Sequence, residues 1–179
     1  MSIVADDILF KYSTKIGSAG NQNAQTNQNA SLGKYISTTE WPGGTVHDLF
    51  AAITGADNAN STPTYRCIFI HNNHGSLTYQ GVVVWVSAQV SGGADVAIGL
   101  DITAPSGISS ASAQAVSITN EKVAPSAVTF TTPTTEGAGL AIGDLLPGEC
   151  KAIWIKRTPA NTVAVSNDGA TFSFSGDSV

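Results

Sequence analysis

Short runs of alternating apolar and polar residues, separated by turn-forming residues, make up most of this chain. Apolar runs cover residues 66–71, 77–86, 95–100 and 151–157, with glycine-, asparagine- and serine-containing turns among the segments between them. Such punctuation, without helix-length segments between the runs, is typical of sandwiches and barrels of antiparallel strands. We therefore predict a mainly β protein that forms one domain over residues 1–179, an antiparallel β-sandwich of jelly-roll-like form.

Two of these runs share one pattern of residue types. Residues 66–72 read RCIFIHN and residues 151–157 read KAIWIKR, so each has a basic residue, a small residue, isoleucine, an aromatic residue and isoleucine. We interpret the similarity as two comparable strands packed in one core. Gly81 interrupts the 77–86 run and predicts a β-bulge there.

One short helix is predicted after the turn at residues 41–44. Thr45 or Gly44 is its expected cap, Asp48 lies in the first turn where the helix dipole favours a negative charge, and Gly55 ends it. Its apolar face would consist of Val46, Leu49, Phe50 and Ile53.

Residues 1–31 are predicted to form an extended N-terminal arm. An opening strand is followed by residues 17–30, a tract of asparagine, glutamine, alanine and glycine with too little apolar content to fold alone. The arm either adds a strand to the sheet edge of a neighbouring molecule or is a loop that tethers an ordinary first strand. The candidate interaction residues are Ile8, Phe10, Tyr12, Asn21, Asn23, Asn27 and Trp41.

Composition argues against several classes of partner. Charged residues make up 12% of the chain and the net charge is −5, with no cluster of lysine and arginine that would suit nucleic acid. No apolar run approaches the ~20 residues of a membrane-spanning helix. The acidic N-terminal residues are unlike a signal peptide, so we expect synthesis in a cytoplasm. A weakly charged surface suits a protein covered by neighbouring subunits, and a secreted β domain would share it.

Candidate chemistry is sparse. His71 and His74, together with Asp95 or Asp101, could hold a metal ion, but the pair falls at a predicted strand end without the helix and glutamate of a zincin. A polar turn with locally hydrogen-bonded histidines is the favoured interpretation. The chain has no Gly-x-Ser-x-Gly pentad. We predict no catalytic, cofactor-binding or metal-binding residue, and hence no enzyme.

The cysteines and tryptophans are assigned mainly to the core. Cys67 and Cys150 lie in apolar runs and are predicted to be buried free thiols, although a disulfide between facing strands stays open. Trp41, Trp85 and Trp154 could form a platform on which sugars stack, but Trp85 and Trp154 lie within β-branched runs and are therefore predicted core residues. Trp41 stands in a turn and is predicted to be partly exposed, as a lid on the core or an interface anchor.

Four segments carry a resemblance to a known group of proteins. Residues 31–40 (SLGKYISTTE), 65–72 (YRCIFIHN), 96–101 (VAIGLD) and 148–157 (GECKAIWIKR) resemble virion structural proteins of tailed bacteriophages. The chain is most similar to a head decoration (cement) protein. The resemblance implies a β-rich component on the capsid exterior, often a homotrimer, that bridges major capsid protein subunits and stabilises the shell. It implies no catalytic residue.

Three functions follow as hypotheses. The leading one is a non-enzymatic capsid decoration protein of the virion, made in the host cytoplasm, whose partners are the major capsid protein and its own copies, and which binds no cofactor, nucleic acid or membrane. The second is a phage tail or baseplate appendage protein that binds host surface glycans. The third is a metal-dependent hydrolase built around His71 and His74.

Overall fold

The computed structural model describes residues 2–18 and 21–179. Within them the only α-helix, α1, is Gly55–Ala59, and 3-10 helices form at Ala5–Asp7, Gln28–Ala30 and Glu136–Ala138. None of these helices has the length and apolar character needed to cross a bilayer. The strands are β1 (Ile8–Thr14), β2 (Gly17–Ser18), β3 (Asn21–Gln22), β4 (Tyr35–Glu40), β5 (Thr64–Asn72), β6 (Tyr79–Gln89), β7 (Asp95–Leu100), β8 (Ser106–Gly107), β9 (Leu140–Leu145), β10 (Glu149–Thr158) and β11 (Ala170–Ser178).

The strands form two main sheets and a small hairpin. The large sheet has the order β4-β1-β5-β10-β7, with β8 also paired to β10, and the small sheet has the order β11-β6-β9. Strands β2 and β3 pair with each other. Every pairing described is antiparallel. The predicted fold class, a mainly β antiparallel sandwich with one short helix, is confirmed.

β5 and β10 lie side by side in the middle of the large sheet. Their register pairs Ile153 with Ile68 and Trp154 with Cys67. Because successive side chains of a strand point to opposite faces, the isoleucines face one side of the sheet, and Trp154 and Cys67 face the other. The prediction that the two similar runs form comparable strands is confirmed, and both faces of this sheet carry a core.

The first core fills the space between the two sheets. Its buried side chains come from both layers and from the segment before α1, and they are Tyr12, Leu49, Ile68, Ile70, Val82, Val84, Val86, Val96, Ile98, Ile142, Leu145, Ile153 and Ile155. Gly81 has a φ of 57°, and the β6–β9 register shifts between Tyr79 and Val82, which confirms the predicted bulge.

The second core lies on the opposite face of the large sheet, under the irregular segment 101–133. Cys67, Phe69, Cys150, Ala152 and Trp154 are buried there. The carboxylate of Asp101 fastens this segment to the sheet, since it accepts hydrogen bonds from the Trp154 Nε1–H at 2.8 Å and from the Val116 N–H at 2.9 Å. The large sheet is therefore covered on both faces, which makes it the stiff centre of the molecule.

The predicted helix over residues 45–54 is wrong. That segment has no helical turn, and α1 begins after it, where the Thr54 Oγ1 accepts a hydrogen bond from the Asp57 N–H at 3.1 Å. The structure gives two reasons. His47 has a φ of 62°, which interrupts a right-handed helix. The carbonyl oxygens of Asp48, Leu49 and Ala51 accept from side chains of the large sheet instead of from helical N–H groups.

Candidate functional site

A cavity of about 880 Å³ lies at one end of the sandwich, between segments 41–55 and 160–170. We call it the end cavity. Its inner walls belong to the first core, whereas two of its residues, Val46 and Val163, have side chains that are 78% and 86% exposed. The apolar and aromatic side chains that line it include Trp41, Leu49, Phe50, Val96, Ile155 and Phe172.

Both walls of the end cavity are fastened to the strands by hydrogen bonds. On one side, the Leu49 carbonyl accepts from the Arg66 Nε–H at 3.1 Å. On the other side, the Asp168 carboxylate accepts from the Ala94 N–H at 3.1 and 2.9 Å. The Asn58 Nδ2 donates to the Thr162 carbonyl at 2.8 Å, so the helix α1 joins the two walls. The cavity is thus defined by contacts between residues far apart in sequence.

Arg157 is the cationic residue of the end cavity. Its Nη1 donates to the Ala51 carbonyl at 2.8 Å, and its guanidinium carbon lies 4.6 Å from the centre of the Phe50 ring. The Arg66 guanidinium carbon lies 5.3 Å from the centre of the same ring. Burial lowers the pKa of Arg157 and the positive charge of Arg66 lowers it further, whereas the negative charges of Glu121, Asp168 and Asp57 raise it. The two guanidinium groups therefore share one aromatic ring at the wall of the cavity.

Their charges are compensated differently. Arg66 forms an ion pair with Glu121, and its Nη2 also donates to the Asn29 Oδ1 at 2.9 Å. Among the described residues Arg157 belongs to no ion pair, and its Nε is buried without a hydrogen-bond acceptor. A buried donor left without an acceptor costs roughly 1–3 kcal/mol. Of the two guanidinium groups, Arg157 is the one without an ion pair among the described residues, and the charges of Glu121, Asp168 and Asp57 act on it without forming one.

Trp41, predicted as a lid or an interface anchor, lines the end cavity. It is half-buried and packs against Phe172, with ring centres 6.2 Å apart, and its Nε1 is buried without an acceptor. Its backbone N–H donates to the Phe10 carbonyl at 2.7 Å, and the Tyr12 hydroxyl donates to the Asp48 carbonyl in the cavity wall. The structure therefore brings three of the predicted interaction residues, Phe10, Tyr12 and Trp41, to this end of the sandwich.

Alternate side chains of β1 face the chain's own first core. Ile8 and Phe10 pack against it, and Tyr12 belongs to it. Both edges of β1 are paired, one with β4 and the other with β5. These three residues thus contact the same molecule, and whether the arm also engages a neighbour stays a prediction.

Asn23 and Asn27 of the predicted arm lie apart from the end cavity lining. Asn23 and Asn27 are exposed. The Asn23 carbonyl accepts from the Thr38 N–H at 3.4 Å, and the Asn27 side chain accepts from the Asn29 N–H at 2.9 Å and caps the 3-10 helix there. Asn21 belongs to β3, and the prediction for its side chain lies outside the described part of the chain. No single site gathers these residues.

The two histidines of the proposed metal site are placed in different environments. His71 is 1% exposed, and neither of its ring nitrogens has a hydrogen-bond partner among the described residues. Burial, with a smaller contribution from Lys11, lowers its pKa from 6.5 to about 4. The His74 Nδ1 accepts hydrogen bonds from the Ser76 and Leu77 N–H groups at 3.1 and 2.9 Å, which confirms the predicted local hydrogen bonding for His74. For His71 that prediction is wrong, because the residue lies within β5 with its ring buried. Within residues 2–18 and 21–179, no group of three or more histidine, cysteine, aspartate or glutamate side chains is placed to hold a metal ion.

Both cysteines are buried free thiols, as predicted. Burial raises the pKa of Cys150 to about 12 and raises the pKa of Cys67 well above its usual range. Thiols in this state are poor nucleophiles, since the thiolate is the reactive form.

The tryptophan predictions are half right. Trp154 is fully buried in the second core, as predicted. Trp85 is half-buried and belongs to neither core. Its neighbours Val84 and Val86 point into the first core, so Trp85 points to the outer face of the small sheet, opposite Ser173 of β11. The prediction that Trp85 is a core residue is wrong. The large sheet covers only one face of the small sheet, and the Trp85 side chain lies on the other face.

The small sheet also has an open edge. Strand β11 pairs with β6 along one side, and no strand among the described residues pairs with its other side. Its single charged residue is Asp177. Unpaired backbone groups of an edge strand are a ready template for a further strand.

The sequence did contain a signal for Arg157, which the prediction missed. Arg157 follows Ile153 and Ile155 at alternate positions of one strand, so its side chain leaves the same, inward face of the sheet. An arginine on the core side of a strand is uncommon and indicates a functional or specially paired residue. Comparison with known proteins adds no assignment: the chain matches no family model, no curated protein and no solved structure.

Proposed function

We propose that this protein is a tailed-phage virion structural protein that decorates the outer surface of the head and makes and breaks no covalent bond. In this proposal it associates as a homotrimer and stabilises the shell by bridging subunits of the major capsid protein. It works through broad surface contacts of a stiff body.

The observation that carries this proposal is the set of large apolar side chains exposed around a doubly covered sheet. They lie outside both cores, and most occupy connecting segments: Val4, Ile16, Val46, Ile102, Ile108, Val123, Leu146, Val163 and Val179. Each is ordinary alone. These side chains are spread around a weakly charged protein. Such a surface suits a subunit that makes many modest contacts with its neighbours, because contacts repeated by symmetry give avidity without a single tight site.

The open edge of β11 supports the same role. An extended segment of a neighbouring subunit can add to such an edge through main-chain hydrogen bonds and needs no charge pattern. A chain in which only 12% of residues are charged has little capacity to attach through ion pairs, so main-chain pairing of this kind suits it.

The test uses expanded phage heads that lack this protein. Purified protein is added, and the temperature at which the heads release DNA is measured with a DNA-binding dye. We expect binding and a higher release temperature. Exposed apolar positions are then changed singly, for example Leu146→Ser and Ile102→Ser, and those at the interface should reduce binding while leaving the thermal unfolding of the free protein unchanged.

The matched control is a change at a buried neighbour, Leu145→Ala, which should lower the stability of the free protein itself. The proposal is contradicted if the heads bind no protein. It is also contradicted if heads saturated with the protein release their DNA at an unchanged temperature. Light scattering of the free protein tests the trimer separately.

A tail or baseplate appendage that binds host glycans is the second candidate. It is favoured by the outward, half-buried Trp85 and by Trp41 in the end cavity, since sugars stack on aromatic rings. Binding to host surface glycans that is lost in Trp85→Ala or Trp41→Ala, together with no binding to heads, would select this function over decoration.

A further inference from the structure

The end cavity contains a cation, Arg157, that forms no ion pair among the described residues, although the negative charges of Glu121, Asp168 and Asp57 act on it. Among the described residues the ion pairs are Arg66 with Glu121 and Lys122 with Asp57. Arg157 takes part in neither, although it is half-buried and lies over the same phenyl ring as Arg66. Charges removed from water are ordinarily paired, because desolvation of an unpaired ion is costly.

Much of the cavity wall beside Arg157 is apolar, and the acidic residues of the lining are Asp48 and Asp168, of which Asp168 accepts hydrogen bonds from the Ala94 N–H. Within the end cavity Arg157 adjoins the aromatic and aliphatic side chains of Trp41, Phe50, Ile155 and Phe172. A volume of about 880 Å³ lies within the roughly 300–1,000 Å³ of ordinary small-molecule sites, which are mostly apolar with a few polar groups that fix orientation. The cavity therefore has the two parts of a site for an amphipathic anion.

We propose that the end cavity binds a small amphipathic carboxylate, with its apolar body against Trp41, Phe50 and Phe172 and its carboxylate at the Arg157 guanidinium. This goes beyond shell decoration and does not depend on it. A carboxylate suits the planar guanidinium, which can donate two parallel hydrogen bonds to it. The same anion would offset the repulsion between Arg157 and Arg66.

Binding requires a small movement. The Arg157 Nε and the Trp41 Nε1 are covered in this conformation, so an entering acceptor reaches them only if the guanidinium turns or the wall at 41–54 shifts. Segments 41–54 and 161–169 contain no strand and carry the two exposed valines, so either wall can move without breaking a sheet. Each donor that gains an acceptor removes an uncompensated desolvation cost.

The experiment uses octanoate, 1-octanol and inorganic phosphate as probes with the wild-type chain. Titration calorimetry gives affinities, and the three tryptophan indole N–H signals in a nitrogen-correlated NMR spectrum give the location. Trp41→Phe assigns the Trp41 signal. We expect octanoate to bind with 1:1 stoichiometry and to shift the Trp41 signal, while the signals of Trp85 and Trp154 stay in place. Octanol and phosphate each lack one half of the ligand and should bind at least about 10-fold more weakly.

Two variants and a matched control test the role of the charge. Arg157→Gln should weaken octanoate binding about 10- to 100-fold, the effect of losing a charge-assisted hydrogen bond, and Arg157→Lys should weaken it less. Lys156→Gln removes one positive charge from the adjacent position of β10, whose side chain points to the opposite face of the sheet, and should leave the affinity unchanged.

Several results overturn the proposal. They are octanoate affinity weaker than about 1 mM, equal affinity for octanoate and octanol, a shift of Trp85 or Trp154 in place of Trp41, and an affinity that Arg157→Gln and Lys156→Gln lower equally. If Arg157→Gln does not fold, the probe comparison on the wild type and the Arg157→Lys variant decide the matter. Failure here leaves the binding of the protein to phage heads unaffected, so the two proposals fail separately.

Discussion

Buried His71 should make the stability of this protein depend on acid, and the size of the effect can be worked out. Burial, with a smaller contribution from Lys11, lowers the pKa of the imidazole from 6.5 to about 4. Cys150 is its cross-strand neighbour on β10, and Leu9 is its neighbour on β1. In the part of the chain that the structure describes, neither ring nitrogen has a hydrogen-bond partner that would compensate a positive charge.

The sign follows from proton binding. Between pH 6.5 and 4 the imidazole of the unfolded chain binds a proton that the folded chain excludes, so stability falls as the pH falls through this window. The full contribution is present above pH 6.5. The loss amounts to about 2 kcal/mol at pH 5 and about 3 kcal/mol at pH 4, and it levels off below pH 4.

The perturbation is His71→Leu, which removes the titrating group and keeps an apolar side chain of similar size. At pH 7 the change should be small, because both unpartnered nitrogens disappear with the ring. At pH 4 the variant should be more stable than the wild type by about 3 kcal/mol relative to their difference at pH 7. Urea unfolding at pH 7, 5 and 4, followed by tryptophan fluorescence, measures both values.

His47→Asn is the control, since His47 is exposed and its substitution leaves the buried imidazole in place. Its left-handed backbone, with a φ of 62°, is one that asparagine adopts readily. The reasoning fails if wild type and His71→Leu lose stability in parallel from pH 7 to pH 4, or if His47→Asn removes the acid dependence.

Two further predictions concern packing and thiol reactivity. Gly33→Ala should destabilise the fold by about 3 kcal/mol or more, because Gly33 has a φ of 86° and an added Cβ would lie 1.9 Å from the Val116 carbonyl oxygen. The control Gly43→Ala, where the φ is 62° and the surrounding space is open, should cost only about 1 kcal/mol. Equal denaturation midpoints of the two variants would contradict this prediction. Cys67 and Cys150 should react with a thiol reagent at pH 8 only when the chain unfolds, because both thiols are buried and their pKa values are raised. Reaction of the native protein at the rate of a free thiol would contradict this and would show that the second core opens.

The strands were predictable because their signal is local. Alternation of apolar residues identified β5 and β10, and the turns between runs marked where most strands end. The similarity of the two isoleucine-rich runs even indicated two equivalent strands, which lie next to each other. The failure of the helix over 45–54 shows the limit of a local signal. Its periodicity was correct in that Leu49 is buried, but side chains of the sheet hold the backbone carbonyls in a different conformation.

The candidate site was not predictable in the same way. Trp41 was identified from its turn. Arg157 and Phe50 become candidates only because the Arg157 guanidinium lies over the Phe50 ring, and the two residues are separated by more than half of the chain. The same holds for Trp85, whose run reads like that of a core strand. The covering of only one face of the small sheet makes it an outward residue.

The sequence by itself determined the class of fold, the places of the main strands and the burial of both thiols, since each of these depends on hydrophobic periodicity within a few neighbouring residues. The tertiary structure alone decided that the large sheet has two cores, that segment 41–54 forms a cavity wall, and that Arg157 lies there without an ion pair among the described residues. The physical reason is that hydrogen bonds and charge compensation depend on which distant groups meet. A pattern along the chain does not contain that information.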